Sequence, residues 1–193
     1  MFAFLKGEFV LKTPAVVQLD VNGVGYEVQI SLNTYAAIAN MESGKLFTYL
    51  HITENAQTLY GFYDFEEKEL FLQLISISGV GASTARMMLS GLKPDEIIRS
   101  IINGNTKQLE SIKGIGKKTA ERIVLELKDK LNRLQTNIQT SAYSLNTVES
   151  DALNALIALG IQKNVAETAI KKVLSTGNNS SVENIIKLAL KNL

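Results

Sequence analysis

Residues 74–89 read LISISGVGASTARMML, and residues 109–124, 35 positions further on, read LESIKGIGKKTAERIV. Seven of the sixteen positions agree: Leu74/Leu109, Ser76/Ser111, Ile77/Ile112, Gly79/Gly114, Gly81/Gly116, Thr84/Thr119 and Ala85/Ala120. Two copies of a sparse pattern must agree at once, so the repeat carries more weight than either motif alone. Leu74 and Ile77, three apart, share one face of a short helix. Gly79 and Gly81 flank a single apolar residue, Val80, and predict a tight bend. Glycine takes positive φ at little cost and lets another backbone come close. A second helix is predicted after Gly81, with Ala85 small enough to pack tightly on the first. Its leading N–H groups lack intrahelical partners, and the helix dipole adds positive potential there. The result is an anion site that needs no particular side chain. Two of them on one fold suit two phosphates of one backbone. The pattern is the helix-hairpin-helix signature of sequence-independent DNA binding. The alternative is a pair of αα-hairpins with glycine turns and no ligand.

Charge follows the repeat. Residues 1–64 carry three lysines against six carboxylates, and residues 65–134 carry twelve basic residues against nine acidic ones. Residues 135–193 carry five against four, for a net charge of +1 over 193 residues. The positive excess falls on the segment with the two bends, as a nucleic-acid footprint requires. An apolar fraction of 46% is ample for a core. There is no cysteine, which excludes disulfides and thiolate-held metals and is compatible with a reducing cytoplasm. MFAFLKGEFVLK is a poor signal peptide, and no stretch has the length of a membrane span.

Working outward from the repeat, residues 1–63 read as strands. AVVQLDV (15–21) and GYEVQISL (25–32) are rich in β-branched residues and partly alternate. Asn22-Gly23 between them is a tight-hairpin signal. LFTYLHIT (46–53) and QTLYGFY (57–63) form a second hairpin around Glu54, Asn55 and Ala56. FAFLKGEFVLK (2–12) supplies the first strand, with a bend or bulge expected at Gly7. A short helix fits residues 33–40. Five strands with one helix between the third and fourth indicate a small OB-type barrel. Helices begin at Asp64, which with Glu67 reads as an N-cap and its reciprocal partner. Pro94, Asp95 and Glu96 suit the first turn of another helix, and a long helix is expected over roughly 117–134. From Leu134 to Val148 there is no charged residue, which reads as a flexible linker over 135–147. Residues 148–193 read as three short amphipathic helices, the first two ended by Gly160 and Gly177. Ser180 and Glu183 form a capping box for the third. The expected core of this tail is Leu153, Leu156, Ile157, Val165, Ala169, Ile170, Val173, Leu174, Ile185, Ile186 and Leu190.

Several chemistries have no footing. GIGKKT (114–119) lacks a Walker A loop's first glycine, since position 111 is Ser, and Lys118 stands where Ser or Thr belongs. His51 is the only histidine and reads as a strand residue rather than a base. No carboxylate stands in a plainly catalytic pattern, so no catalytic residue, metal or cofactor is expected. The rival reading is a helix-hairpin-helix repair enzyme, a glycosylase or structure-specific nuclease. A glycosylase needs an acidic residue after the hairpin beside a base-flipping pocket. Here VLELKDKLNRL follows, and Asp129 reads as a solvated helix charge. A third reading, a single-strand binder, would need aromatic platforms among Tyr26, Tyr49, Tyr60, Phe62 and Tyr63.

The whole chain, most specifically GVGYEV (23–28), LYGF (59–62), SGVG (78–81) and GIGKKTAERI (114–123), resembles the RuvA family. These are the Holliday-junction-recognising subunits of the bacterial RuvAB branch-migration complex. The resemblance implies an α+β multidomain chain. Residues 1–63 would be an OB-type barrel and 64–134 an all-α tandem helix-hairpin-helix domain. Residues 135–147 would be a flexible linker and 148–193 a UBA-like three-helix domain docking the RuvB motor. It implies a cytoplasmic, non-catalytic homotetramer, or an octamer of two such rings, holding a four-way junction open and square-planar. ATP hydrolysis belongs to the hexameric RuvB, and the RuvC resolvase is a further partner. The DNA-binding residues it implies are Gly79, Val80, Gly81, Ala82, Ser83 and Arg86, with Gly114, Ile115, Gly116, Lys117, Lys118 and Arg122. The amides of Val80 to Ser83 and of Ile115 to Lys118 would hold phosphates. An acidic pin would be Glu54 and Asn55, where Asn55 departs from the family's second acidic residue. Leu156, Ile161, Val165 and Ile170 would face the motor.

Overall fold

The computed structural model describes residues 2–141, 148–175 and 181–191. Among them the chain divides into two compact units, residues 1–133 and 134–193.

The first unit opens on a closed barrel. Its strands are β1 (Phe4–Lys12), β2 (Val16–Val21), β3 (Val24–Ile30), β4 (Ser43–Ile52) and β5 (Gln57–Phe62), and a helix α1 (Leu32–Ile38) lies between β3 and β4. The order round the barrel is β1-β2-β3-β5-β4, with β3 and β5 parallel and every other pair antiparallel. Alternation supplies the interior: Val17 and Leu19 from β2, Val28 and Ile30 from β3, and Leu46 from β4 are buried together with Ile38 of α1. Asn22 and Gly23 both take positive φ (54° and 84°), the geometry a two-residue turn needs to match strand twist. The Gly23 N–H also donates to Asp20 Oδ1 (2.7 Å). The irregularity expected at Gly7 lies instead between Phe9 and Leu11. Gly7 answers a different need: a Cβ there would sit 2.0 Å from the Asp20 carbonyl oxygen, so only glycine lets β1 cross β2 so closely.

Four helices follow in the same unit, α2 (Phe65–Ile75), α3 (Ala82–Gly91), α4 (Pro94–Ile102) and α5 (Thr106–Glu110), and a fifth, α6 (Lys117–Ser141), begins in it and crosses its boundary at residue 133. Pro94 opens α4 as expected, and the Lys93 N–H donates to Glu96 Oε2 (2.9 Å). The helices have their own core, which takes in Tyr60 and Phe62 from one flank of the barrel. Phe71 of α2 packs on Tyr49, Tyr60 and Phe62 of β4 and β5. Helix α6 runs to Ser141, past the end expected near Leu134 and through the first seven residues of the expected linker. A run of Gln, Thr, Asn and Ser lacks charge but holds no Gly or Pro to stop a helix. The remainder of that expected linker, 142–147, lies outside the described residues.

The second unit holds α7 (Val148–Ala158), α8 (Lys163–Ser175) and α9 (Val182–Lys191). Gly160 ends α7 at φ 89°, and the Ile161 N–H bonds back to Leu156 O (3.1 Å), a left-handed C-terminal stop. Gly177 and Ser180 lie outside the described residues. The cap seen on α9 is Ser181, whose Oγ accepts from the Asn184 N–H (3.2 Å). The core differs from the expected set: Ile157, Val165 and Leu190 are exposed, while Ala152, Ala166 and Ala189 are buried. Three short helices approach closely only where their facing residues are small.

Candidate nucleic-acid interface

The two glycine bends close with the same three backbone bonds. In the first, Ile77 N–H donates to Leu74 O (3.1 Å), Val80 N–H to Ile77 O (3.0 Å) and Ala85 N–H to Gly81 O (2.9 Å). In the second, Ile112 N–H donates to Leu109 O (3.2 Å), Ile115 N–H to Ile112 O (3.0 Å) and Ala120 N–H to Gly116 O (2.9 Å). The shared serines match too: Ser76 Oγ donates to Gln73 O (2.6 Å) and Ser111 Oγ to Gln108 O (2.7 Å). The apolar positions of both copies, Leu74, Ile77, Val80 and Ala85 with Leu109, Ile112, Ile115 and Ala120, are all buried in one core. The structure gives no reason for the shared Thr84/Thr119.

The two glycines of each bend have different reasons. Gly79 and Gly114 stand at φ 94° and 92°, where L side chains are strained. Gly81 takes φ −80° and ψ 167°, a conformation open to any residue. A Cβ on Gly81 or on Gly116 would meet no atom within 4 Å. Neither the backbone nor the packing of this chain asks for glycine there. What it leaves is an open approach to the main chain at the start of α3 and of α6. The N–H groups of Gly81, Ala82 and Ser83, and of Gly116, Lys117 and Lys118, precede the first intrahelical bond of their helices. Gly81, Ser83, Gly116, Lys117 and Lys118 are exposed while Ala82 is buried, so both helix starts are open to solvent at their second glycine.

Val80 and Ile115 require a correction. Their N–H groups close the turn internally, and their side chains are 4% and 5% exposed. They plug the bend into the core and offer nothing to a phosphate. Arg86 is half-buried. Its Nη1 donates to Ala15 O (2.9 Å) and Gln29 Oε1 (2.9 Å) of the barrel. It lies near enough to Tyr60 to oppose the upward push that burial gives that hydroxyl. Its reach toward β2 and β3 follows from α3 packing beside the barrel, which a helix read alone does not disclose. Arg122 is exposed, and its Nε donates to Glu126 Oε1 (2.6 Å), one turn on. Lys113, directly before Gly114, is exposed and adds a third lysine to Lys117 and Lys118, outside the expected set. Its position in the repeat, opposite Ser78, was the available signal.

Away from the bends, Glu54 and Asn55 occupy the exposed β4–β5 turn, closed by Thr53 N–H donating to Ala56 O (2.9 Å). His51 lies on β4 beside the rings of Tyr49 and Tyr60. Asp129 is exposed on α6. In the second unit Leu156 and Ile170 are 0% and 2% exposed, so they build the core and cannot face a partner. Ile161 is partly buried against that core, and Val165 is exposed. Amphipathic spacing marks the apolar side of a helix but does not separate core positions from docking positions.

Asp64 and Glu67 do not form a capping box. Asp64 makes no side-chain bond to the helix end. Glu67 is 3% exposed and accepts from the hydroxyls of Ser31 and of Thr34 (Thr34 Oγ1 to Oε2, 2.6 Å). Burial raises its pKa above the usual carboxylate range. The two hydroxyls oppose that rise and the charge of Asp64 adds to it.

Comparison with known proteins gives the same picture along the full chain. The family profile for the RuvA N terminal domain matches residues 1–61. A SAM-like helix-hairpin-helix tandem profile matches 71–129, and the RuvA C-terminal domain profile matches 147–193. The chain is 46% identical to a protein of Flavobacterium psychrophilum over 193 residues, all of both chains. It is 42% identical to one of Christiangramia forsetii, again over all of both. A Cytophaga hutchinsonii protein is 43% identical over 99% of both. Each of the three is named Holliday junction branch migration complex subunit RuvA.

Proposed function

The chain belongs to the RuvA family, and from that premise we propose that it binds four-way DNA junctions through its two glycine bends without catalysing a reaction itself. The observation that carries the reading is the open space at Gly81 and Gly116. These glycines serve no need internal to the chain, and each stands where main-chain N–H groups face solvent. A phosphate approaching to hydrogen-bond distance of those amides is the contact that a side chain would block. Lys113, Lys117 and Lys118 add charge at the second bend. Gly81, Ala82 and Ser83 hold phosphate at the first through backbone alone. Such contacts read the sugar–phosphate chain and not bases. The relatives' names support the junction reading and give none to the repair-enzyme alternative.

Further assignments belong to the same proposal. Four copies, or two rings of four, would present eight or more bends to four arms. The β4–β5 turn would bring Glu54 to the centre, with Asn55 in place of a second charge. The divisions are then 1–63 for assembly, 64–134 for DNA, 135–147 for the connection and 148–193 for docking a RuvB-type ATPase, with RuvC as a further partner. Its place would be the cytoplasm, and no helix among the described residues is long and apolar enough to cross a membrane. On the second unit, docking would use exposed Val165 together with Ile157 and Leu159, which are also exposed.

The test is a gel shift of the full chain on a four-way junction and on linear duplex of the same sequence at matched salt. The junction should bind more tightly, with affinity falling by a log–log slope of roughly 0.9 per phosphate neutralised. Equal affinity for both would overturn the junction reading.

A further inference from the structure

Glu67 stands at a three-way meeting of elements. Ser31 Oγ accepts from the Thr34 N–H (3.0 Å), and Thr34 Oγ1 accepts from the Tyr63 N–H (3.0 Å). A backbone N–H can only donate, so each hydroxyl is left with one hydrogen, and both are directed at the Glu67 carboxylate. The start of α1, the end of β5 and helix α2 are thereby joined through one buried side chain. Otherwise α2 meets the barrel through apolar rings, Phe71 on Tyr49, Tyr60 and Phe62. Apolar burial is non-directional and leaves a helix free to roll or slide by small amounts. Hydrogen bonds constrain direction. The other helix of the same bend is tied to the same barrel helix. Asn33 Nδ2 donates to Leu89 O (2.6 Å) and Leu92 O (3.0 Å), and the Leu32 N–H donates to Ser90 Oγ (3.1 Å). Both arms of the first bend are therefore keyed to α1, whereas no side-chain bond joins the second bend to the barrel among the described residues.

We propose that Glu67, held by Ser31 and Thr34, is a positioning residue that sets the attitude of the first bend relative to the β4–β5 turn, and so governs preference for junctions over plain duplex. The inference rests on the junction-binding reading above. A duplex needs only one bend to meet one backbone. A junction needs the bends and the turn to meet a fixed DNA geometry together, and such joint engagement is lost when the spacing between sites is not held.

The experiment compares the unaltered full chain with Glu67→Ala, Thr34→Val and Thr34→Ser. Each is measured on a four-way junction and on linear duplex of the same sequence at one salt concentration, with folding checked by circular dichroism. Thr34→Val keeps the volume and removes the hydroxyl; Thr34→Ser keeps the hydroxyl. In Glu67→Ala and Thr34→Val the junction-to-duplex preference should fall by at least about tenfold while duplex affinity stays within about threefold. Thr34→Ser should keep the preference of the unaltered chain. A merely structural role would lower the melting temperature and leave the preference intact, and that result would overturn the inference. If Glu67→Ala does not fold, Thr34→Val decides the matter alone. If the unaltered chain shows no preference, the functional reading fails and the inference goes with it. If it shows the preference and the variants retain it, only the inference fails.

Discussion

At the first bend the residues that follow the second glycine are Ala82 and Ser83; at the second they are Lys117 and Lys118, with Lys113 just before. The main chains agree in φ at the leading glycine and in the bonds donated by Ile77, Val80 and Ala85 and by their counterparts Ile112, Ile115 and Ala120. Their attachments differ as much as their side chains do. The first bend is keyed to the barrel through Glu67, Arg86, Asn33 and Ser90, while the second projects lysines and makes no side-chain bond to the barrel among the described residues, its polar tie being Ser100 Oγ to Gln108 Oε1 (2.8 Å). One backbone device thus serves two purposes. The copy keyed to the barrel has no lysine after its second glycine, and the copy with lysines makes no side-chain bond to the barrel among the described residues. Geometry and attraction are divided between the copies.

The largest effect that would sharpen this division comes from the device both copies share. Gly81→Val with Gly116→Val fills the open approach at each bend and strains no φ. Hydrogen bonds to charged groups contribute about 1.5–3 kcal/mol each. Losing one or more at each bend should weaken junction binding at least about 100-fold in a gel shift, with the melting temperature little changed. Retained affinity would place the phosphate contacts elsewhere and end the comparison. A smaller effect separates the copies. Lys117→Ala with Lys118→Ala should reduce the salt slope of binding by about 0.9 per lysine and weaken binding at low salt about tenfold. Ser83→Ala should leave the slope unchanged. Equal slopes in the two variants would break the assignment of charge to the second bend.

The smallest effect concerns pH and belongs to the first bend alone. The folded-state pKa of Glu67 lies above its unfolded value because burial disfavours the charge. Its favourable contribution is full below the ordinary glutamate range and is lost as pH rises through the folded value. The melting temperature of the unaltered chain minus that of Glu67→Gln should therefore decline as pH rises from about 4. Asp64 is the charged neighbour that adds to the shift. A difference that grows with pH would mean that the carboxylate form is the favoured one.

What the sequence disclosed was whatever its main chain dictates locally. The bends, the Asn22-Gly23 turn and the Pro94 helix start all follow from residues restricted or permissive in φ. What it hid was set by distant partners. The spacing of Asp64 and Glu67 suits a helix cap, yet the partners that claim Glu67 lie 33 and 36 positions earlier. Val80 and Ile115 sit between glycines and read as part of a ligand loop, but only the fold shows their amides closing the turn. Arg86 reads as a cation beside a phosphate site, and only the fold shows that its Nη1 also meets Ala15 and Gln29 of the barrel. Leu156 and Ile170 look available for docking because three short helices offer more apolar faces than one small core accepts.

Phe71 is the lid on Tyr60 and Phe62, and it comes after the last strand in the chain. During synthesis, the barrel's five strands emerge before the helix that covers this side of them. The N-terminal strands can pair, but their aromatic flank stays wet until α2 leaves the ribosome. This flank of the barrel is thus finished by its neighbour, and the order of emergence leaves its rings uncovered until the first of the following helices is made.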